Sequence, residues 1–158
     1  MPKHIVSGLK YLATIELKKK GLTQQKIAEE LGIDRSTVSH YLNGRNLSWS
    51  SIDVAKTITQ LCPKDFLILT NLLVKNTKKT QKIISICQSR EFKNDVLDSC
   101  ISCGLCVDLC LMEAVSLKSL KANISPIKCC GCLICQEGCP TNSIKILEVN
   151  NDREYQRS

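Results

Sequence analysis

The sequence predicts an all-α N-terminal bundle followed by a small α+β domain, and three observations predict it. Apolar residues recur at helical spacing over residues 4–74, punctuated by Gly21, Gly32 and Pro63. Nine of the eleven cysteines fall between Cys100 and Cys139, and eight of these form two copies of one spacing, C-x2-C-x2-C-x3-C. Short runs of strand-forming residues, 96–97 and 144–149, flank those copies. Charge divides at the same place: residues 1–90 carry 15 Lys/Arg against 6 Asp/Glu, and residues 91–158 carry 7 against 9. The basic half is therefore the one suited to a polyanion.

Residues 4–20 set Leu9, Leu12, Ile15 and Leu17 among lysines so that one helical face is apolar, and Gly21 stops the helix. Thr23 is a natural N-cap for a second helix with Ile27, Ala28 and Leu31 inside. Gly32 permits a sharp turn, Asp34 is expected to cap a third helix, and Val38, Tyr41 and Leu42 point back to the core. Trp49 is expected to pack the next loop against that core. Ser50-x-x-Asp53 reads as a capping box for a fourth helix with Ile52, Ala55, Ile58 and Leu61 on one face. Pro63 restarts the chain into a fifth helix, 64–74, whose apolar residues cover more than one face, so part of it is expected at an interface. Residues 75–90 read as a basic linker running into a possible dimerisation helix around Ile83 and Ile84, with packing against the cysteine half as the alternative. Cys62 and Cys87 stand alone and are expected as small apolar core residues.

Two short helices crossed over a glycine turn form a helix-turn-helix. The run T-Q-x-x-I-A-x-x-L-G-I-x-x-S-T-V-S-x-Y-L-N-G, from Thr23 to Gly44, resembles the DNA-binding domain of the lambda-repressor and Cro family. The resemblance implies a five-helix repressor-like bundle over 1–74, a double-stranded DNA operator as ligand, and a homodimer as the binding form. Carried over by position, Gln24 and Gln25 meet phosphate or a flanking base. Arg35, Ser36, Thr37, Ser39 and His40 face the major groove, and Arg45 and Asn46 contact the backbone. A helical hairpin without ligand is the alternative; the short polar groups on the outer side of the third helix, suited to base edges, argue against it. His40 remains open between a base contact and an exposed helix position.

For the cysteines, structural zinc usually takes two separated C-x2-C pairs and leaves the third cysteine of each triplet without a role. A disulfide framework needs export, and residues 1–20 hold scattered charges with no uninterrupted apolar core. A cubic iron–sulfur cluster offers one site per iron, and three thiolates on one loop can reach three corners. The stretch 91–149 resembles the bacterial two-cluster ferredoxins, with their C-x2-C-x2-C-x3-C run. The resemblance implies a small α+β domain holding two [4Fe–4S] clusters. One uses Cys100, Cys103, Cys106 and Cys139, and the other Cys129, Cys132, Cys135 and Cys110, the fourth ligand of each coming from the other copy.

Pro140 follows Cys139 as that family expects, whereas Leu111 follows Cys110 where a second proline is usual, which bears on the local turn and the potential of one cluster. Gly104 and Gly131 lie inside the ligand loops, where a side chain would crowd a cluster. Cys130 is extra: plain packing is expected, with exchange for a neighbouring ligand as the alternative. Helical turns are expected after Cys106 and Cys135, and residues 150–158 as a flexible tail. Aromatic content is only 4%, so the ferredoxin-like half is expected to depend on metal for its fold.

Together the two resemblances imply a transcriptional regulator answering to redox state, oxygen or cluster supply. No enzyme is expected, since neither a nucleophile–base set, a P-loop nor a dinucleotide glycine motif is present. An electron-transfer ferredoxin whose helical domain tethers it, working with a redox partner protein, is the alternative; a regulator whose clusters only stabilise the fold is another. No stretch reaches the roughly 18 apolar residues of a membrane span, so no membrane association and a cytoplasmic location are expected.

Overall fold

The first half of the chain is framed by one close helix contact. In this computed structural model, which describes residues 2–149, the chain divides into two units, Met1–Gln88 and Ser89–Ser158. The tail expected at 150–158 lies outside the described residues. The first unit is helical: α1 (Pro2–Lys19), α2 (Gln24–Leu31), α3 (Arg35–Leu42), α4 (Trp49–Gln60), α5 (Pro63–Val74) and α6 (Thr77–Cys87). A Cβ on Gly8 of α1 would stand 2.8 Å from the Ser51 carbonyl of α4, so glycine is what lets the two backbones touch. Beyond that contact Leu9, Ala13 and Leu17 run down α1 at four-residue steps and are buried. Ala13 and Leu17 pack with Ile27, Ala28 and Leu31 of α2 and Val38 of α3. Leu12 and Ile15, expected on this face, flank the stripe and are only half-buried.

Local chemistry explains where the helices begin and end. Thr23 accepts from the Lys26 N–H at 3.3 Å to cap α2, and Gly32 ends it in left-handed backbone, φ 60°. Asp34 stands at the N-cap of α3 in extended backbone, but its side chain makes no capping hydrogen bond, so the expected cap is one of position only. The expected capping box at Ser50 is also corrected. Ser48 takes the N-cap position of α4, and the hydroxyls of Ser48, Ser50 and Ser51 bond to one another at 3.0–3.1 Å. Trp49 thereby becomes the first residue of α4 and is 65% exposed, so it does not pack a loop against the core.

The largest difference is a sixth helix. The stretch expected as linker or dimerisation segment is α6, folded against α1, α2 and α5 within the first unit. Asn76 caps it by accepting from the Lys79 N–H at 2.9 Å, and Thr80, Ile83 and Ile84 are buried one turn apart. Lys82, which made the stretch look like linker, lies outside that stripe and pairs with Glu30 of α2 at 2.7 Å. Ile83 and Ile84 are therefore unavailable for dimerisation, and the bundle has six helices rather than five. Cys62 is exposed at the N-cap of α5, against expectation; Cys87 is half-buried, and burial pushes its thiol up to about 12, as for an apolar packing residue. In α5, Phe66 and Leu67 face inward while Leu72 is 63% exposed.

The second unit is a small α+β fold. β1 (Phe92–Val96) pairs antiparallel with β4 (Ile144–Glu148), from Phe92↔Glu148 to Val96↔Ile144. Between them come α7 (Leu105–Leu109), a hairpin of β2 (Val115–Lys118) and β3 (Lys121–Ile124), and α8 (Ile134–Glu137). The first strand lies earlier than expected and leaves Leu97 outside; the short helices contain Cys106 and Cys135 rather than following them. Val115, Ala122, Ile124, Ile144 and Ile146 form a small core around those two buried cysteines. Among the described residues no helix is long and apolar enough to cross a membrane.

Candidate metal centres and nucleic-acid face

On the helix-turn-helix, burial of Val38 and Tyr41 fixes which side of α3 looks outward. Tyr41 meets Tyr11 of α1 edge to face, ring centres 6.2 Å apart, which anchors the helix on the bundle. Arg35 and Ser36 are exposed, while Thr37, Ser39 and His40 are half-buried at the flanks. Gln24 is half-buried and Gln25 exposed at the start of α2, where Gln25 Nε2 donates to Glu29 Oε1 at 3.1 Å. Arg45 and Asn46 are exposed in the turn after α3, with Asn46 in left-handed backbone, φ 56°. Asn43, in the quoted run but not among the expected contact residues, donates its amide to the Ser39 carbonyl at 2.9 Å and to its hydroxyl at 3.3 Å, so Ser39 is held in place.

In the cysteine unit, both copies bend the backbone alike. The residues on either side of each middle cysteine are left-handed: Ser102 and Gly104 (φ 57° and 78°) around Cys103, Gly131 and Leu133 (φ 73° and 64°) around Cys132. Each copy has glycine at one of these positions only. Left-handed residues alternating with a cysteine of ordinary φ turn the loop so that successive backbone N–H groups can line a concavity, the geometry that receives an anionic group. The fourth cysteines match too. The N–H three residues on bonds to the cysteine carbonyl at 3.2 Å in both, Glu113 to Cys110 and Asn142 to Cys139. The next N–H reaches sulfur, Ala114 to Cys110 Sγ at 3.3 Å and Ser143 to Cys139 Sγ at 3.4 Å. Leu111 in place of proline thus leaves the turn unchanged.

One cavity brings Cys100, Cys103 and Cys106 together with Cys139 of the other copy, walled by Leu117 and Ile144. Among the described residues its lining has no carboxylate or imidazole, so beside the hydroxyls of Ser102 and Thr141 its side-chain donors are the four thiols. In the other copy, burial and then the charges of Cys132, Cys110 and Cys129 push the Cys135 thiol up to about 12, which places those three sulfurs around it. Burial likewise raises Cys106, with Cys103 and Cys100 adding to it. Thiols that oppose one another's ionisation are gathered where a cationic centre would take their protons' place. Among the described residues no three such groups close to the spacing of one bound ion; a cubic cluster holds its four thiolates farther apart than a single ion does. The donor chemistry and loop shape fit iron–sulfur. Cys130 is buried and donates a hydrogen bond to Cys132, which raises its own thiol and lowers that of Cys132.

Residues 15–69 match the helix-turn-helix family HTH_3. The ferredoxin-type protein FwdE of Methanocaldococcus jannaschii is 34% identical over 148 residues, covering 94% of this chain and 99% of that protein. The chain belongs to the FwdE family. A match of that extent runs through both units. No solved structure matches the chain.

This FwdE-family chain carries one polar feature unforeseen from its sequence. Thr141 Oγ1 lies 3.6 Å from Cys139 Sγ and 2.5 Å from Ser143 Oγ, which in turn lies 2.8 Å from Ser99 Oγ. The alternating Thr141 and Ser143 after Cys139 were the available signal. Ser99 was not legible, because the pairing of β1 with β4 brings it to Ser143.

Proposed function

We propose that this chain is an iron–sulfur, DNA-binding transcriptional regulator with two [4Fe–4S] clusters, and that it is not an enzyme. Cys100, Cys103, Cys106 and Cys139 hold one cluster, and Cys129, Cys132, Cys135 and Cys110 the other; Arg35, Ser36, Thr37, Ser39 and His40 face the major groove, Gln24 and Gln25 meet phosphate or a flanking base, and Arg45 and Asn46 contact the backbone. The observation that carries this is the cavity where the first triplet meets the fourth cysteine of the other copy, in a chain that also matches the helix-turn-helix family. Metal state reaches the DNA-binding unit through the short connection 88–91, between α6 and β1. The test is a titration of selected operator DNA, at one salt concentration and without oxygen, using oxidised, reduced and cluster-free protein. Operator affinity differing at least tenfold between states, about 1.4 kcal/mol, is expected. Three coincident curves sink the sensor.

The relative's name favours a second reading, since it describes a ferredoxin-type protein and says nothing of DNA. An electron carrier tethered by its helical unit would show iron and sulfide at the same stoichiometry, rapid reduction by a partner protein, and no operator sequence emerging from selection.

A further inference from the structure

The two cysteine copies are alike in backbone and unlike in what surrounds their fourth sulfur. Cys110 and Cys139 each receive an N–H from four residues on, through the same turn. At the two side chains that follow, however, the Cys110 copy has buried Met112 and Ala114, and the Cys139 copy has Thr141 and wholly buried Ser143. Resting on the two-cluster reading, we propose that the hydroxyls of Ser99, Ser143 and Thr141 stabilise charge at the Cys139 sulfur, so that the first electron from a one-electron donor settles against Cys139 rather than Cys110.

The direction of every hydrogen bond follows from the ligand. A metal-bound Cys139 sulfur carries no proton and can only accept, so Thr141 donates to it. Thr141 has one hydroxyl proton, now used, so Ser143 must donate to Thr141 and Ser99 to Ser143. Three dipoles align head to tail toward one sulfur and polarise each other, from exposed Ser99 through wholly buried Ser143 to half-buried Thr141. Reduction adds one electron and breaks no bond; the added negative charge is spread onto the thiolate sulfurs, and donors aimed at sulfur make it easier to add. Surroundings act in the same sense. Cys106 and Cys135 are buried alike, but the middle cysteine of the first triplet, Cys103, is exposed, whereas Cys132 of the second is half-buried beside buried Cys130, and the Phe92 ring covers Gly131. Exposure and sulfur hydrogen bonds are two of the determinants of cluster potential, and both favour the Cys139 side.

The experiment is an electron-paramagnetic-resonance redox titration of the full chain, reconstituted without oxygen and checked for iron and sulfide, with dithionite as donor. Cys103→Ala, which removes or alters the site that includes Cys139, identifies which signal belongs to it. Two midpoints are expected, the higher belonging to the Cys139 side. Thr141→Val keeps the shape and deletes the donor, and should lower that midpoint alone, shifting the reduced-to-oxidised ratio at fixed potential about tenfold, about 59 mV for one electron. Ser99→Ala, which does not touch Cys139, should lower the same midpoint by less, and decides the matter if Thr141→Val loses iron. Equal midpoints in the parent, a higher midpoint on the Cys110 side, or midpoints unmoved by both variants overturn the proposal. A parent chain that takes up no iron and sulfide sinks the two-cluster reading itself, a result distinct from loaded protein with unmoved midpoints.

Discussion

Arg35 is the exposed cation at the first position of α3, and its consequence is tested at the level of discrimination. If its guanidinium is bidentate to guanine, Arg35→Ala costs about 1–3 kcal/mol on the operator and much less on random DNA, measured by paired titrations at one salt concentration. Equal losses would mean a phosphate contact. Cys87 gives a pH dependence of known sign. Its thiol is raised from an ordinary value of 9.0 to about 12 by burial, then by Glu16, with Lys20 opposing. The stabilisation is fully present below about pH 9 and is lost as pH rises toward 12, because the unfolded thiol ionises first. Stability should fall by roughly 1 kcal/mol per pH unit across that window more steeply in the parent than in Cys87→Ala, as read by urea unfolding at several pH values. Identical slopes would assign the loss to other groups.

At the scale of elements, α6 departs from the role that pattern alone gave it, and α5 keeps an apolar outer face. Ile83 and Ile84, read as a possible dimerisation segment, are core; Leu72 of α5 is on the surface. If α5 is the dimer face, Leu72→Asp should halve the mass seen in sedimentation and leave unfolding within about 0.5 kcal/mol of the parent monomer. Ile84→Ala should do the reverse, costing about 2–4 kcal/mol of stability with mass unchanged. Elements with a one-sided chemical signature were legible: Thr23, Gly32 and the stripe Ile27, Ala28, Leu31 placed α2 correctly. Those decided by neighbours were not. The lysines of α6 masked a stripe whose value depends on α1, α2 and α5 being there to receive it. The β2–β3 hairpin turns on Ser119 and Leu120, both left-handed (φ 50° and 60°), where the usual signal would be Asn-Gly. The meeting of Cys100, Cys103 and Cys106 with Cys139 in one cavity was legible because spacing along the chain carries it. Ser102 and Leu133 were not, since nothing in a serine or a leucine announces positive φ.

For the whole molecule, the two units divide the sources of stability. The first buries long aliphatic stripes of six helices, while the core of the second is a few strand residues and two cysteines. Removing iron from the full chain with a chelator and reductant should therefore abolish the cooperative unfolding of the second unit and leave that of the first nearly intact. Circular dichroism during heating checks this: one helical transition should survive. Complete loss of helical signal would show that the bundle needs the metal domain to fold.

The meeting of Cys139 with Cys100, Cys103 and Cys106 in one cavity also bears on how the protein is made. A ribosome delivers the first triplet long before Cys139, and it delivers Cys110 before any of the second triplet. On the proposed ligation the second set is complete only at Cys135 and the first only at Cys139. During that interval the bundle precedes them, with the four thiols of Cys100, Cys103, Cys106 and Cys110 trailing behind it. On that ligation, cluster insertion is expected to follow synthesis of the helical half, and cells short of iron are expected to accumulate that half-made form rather than an unfolded one.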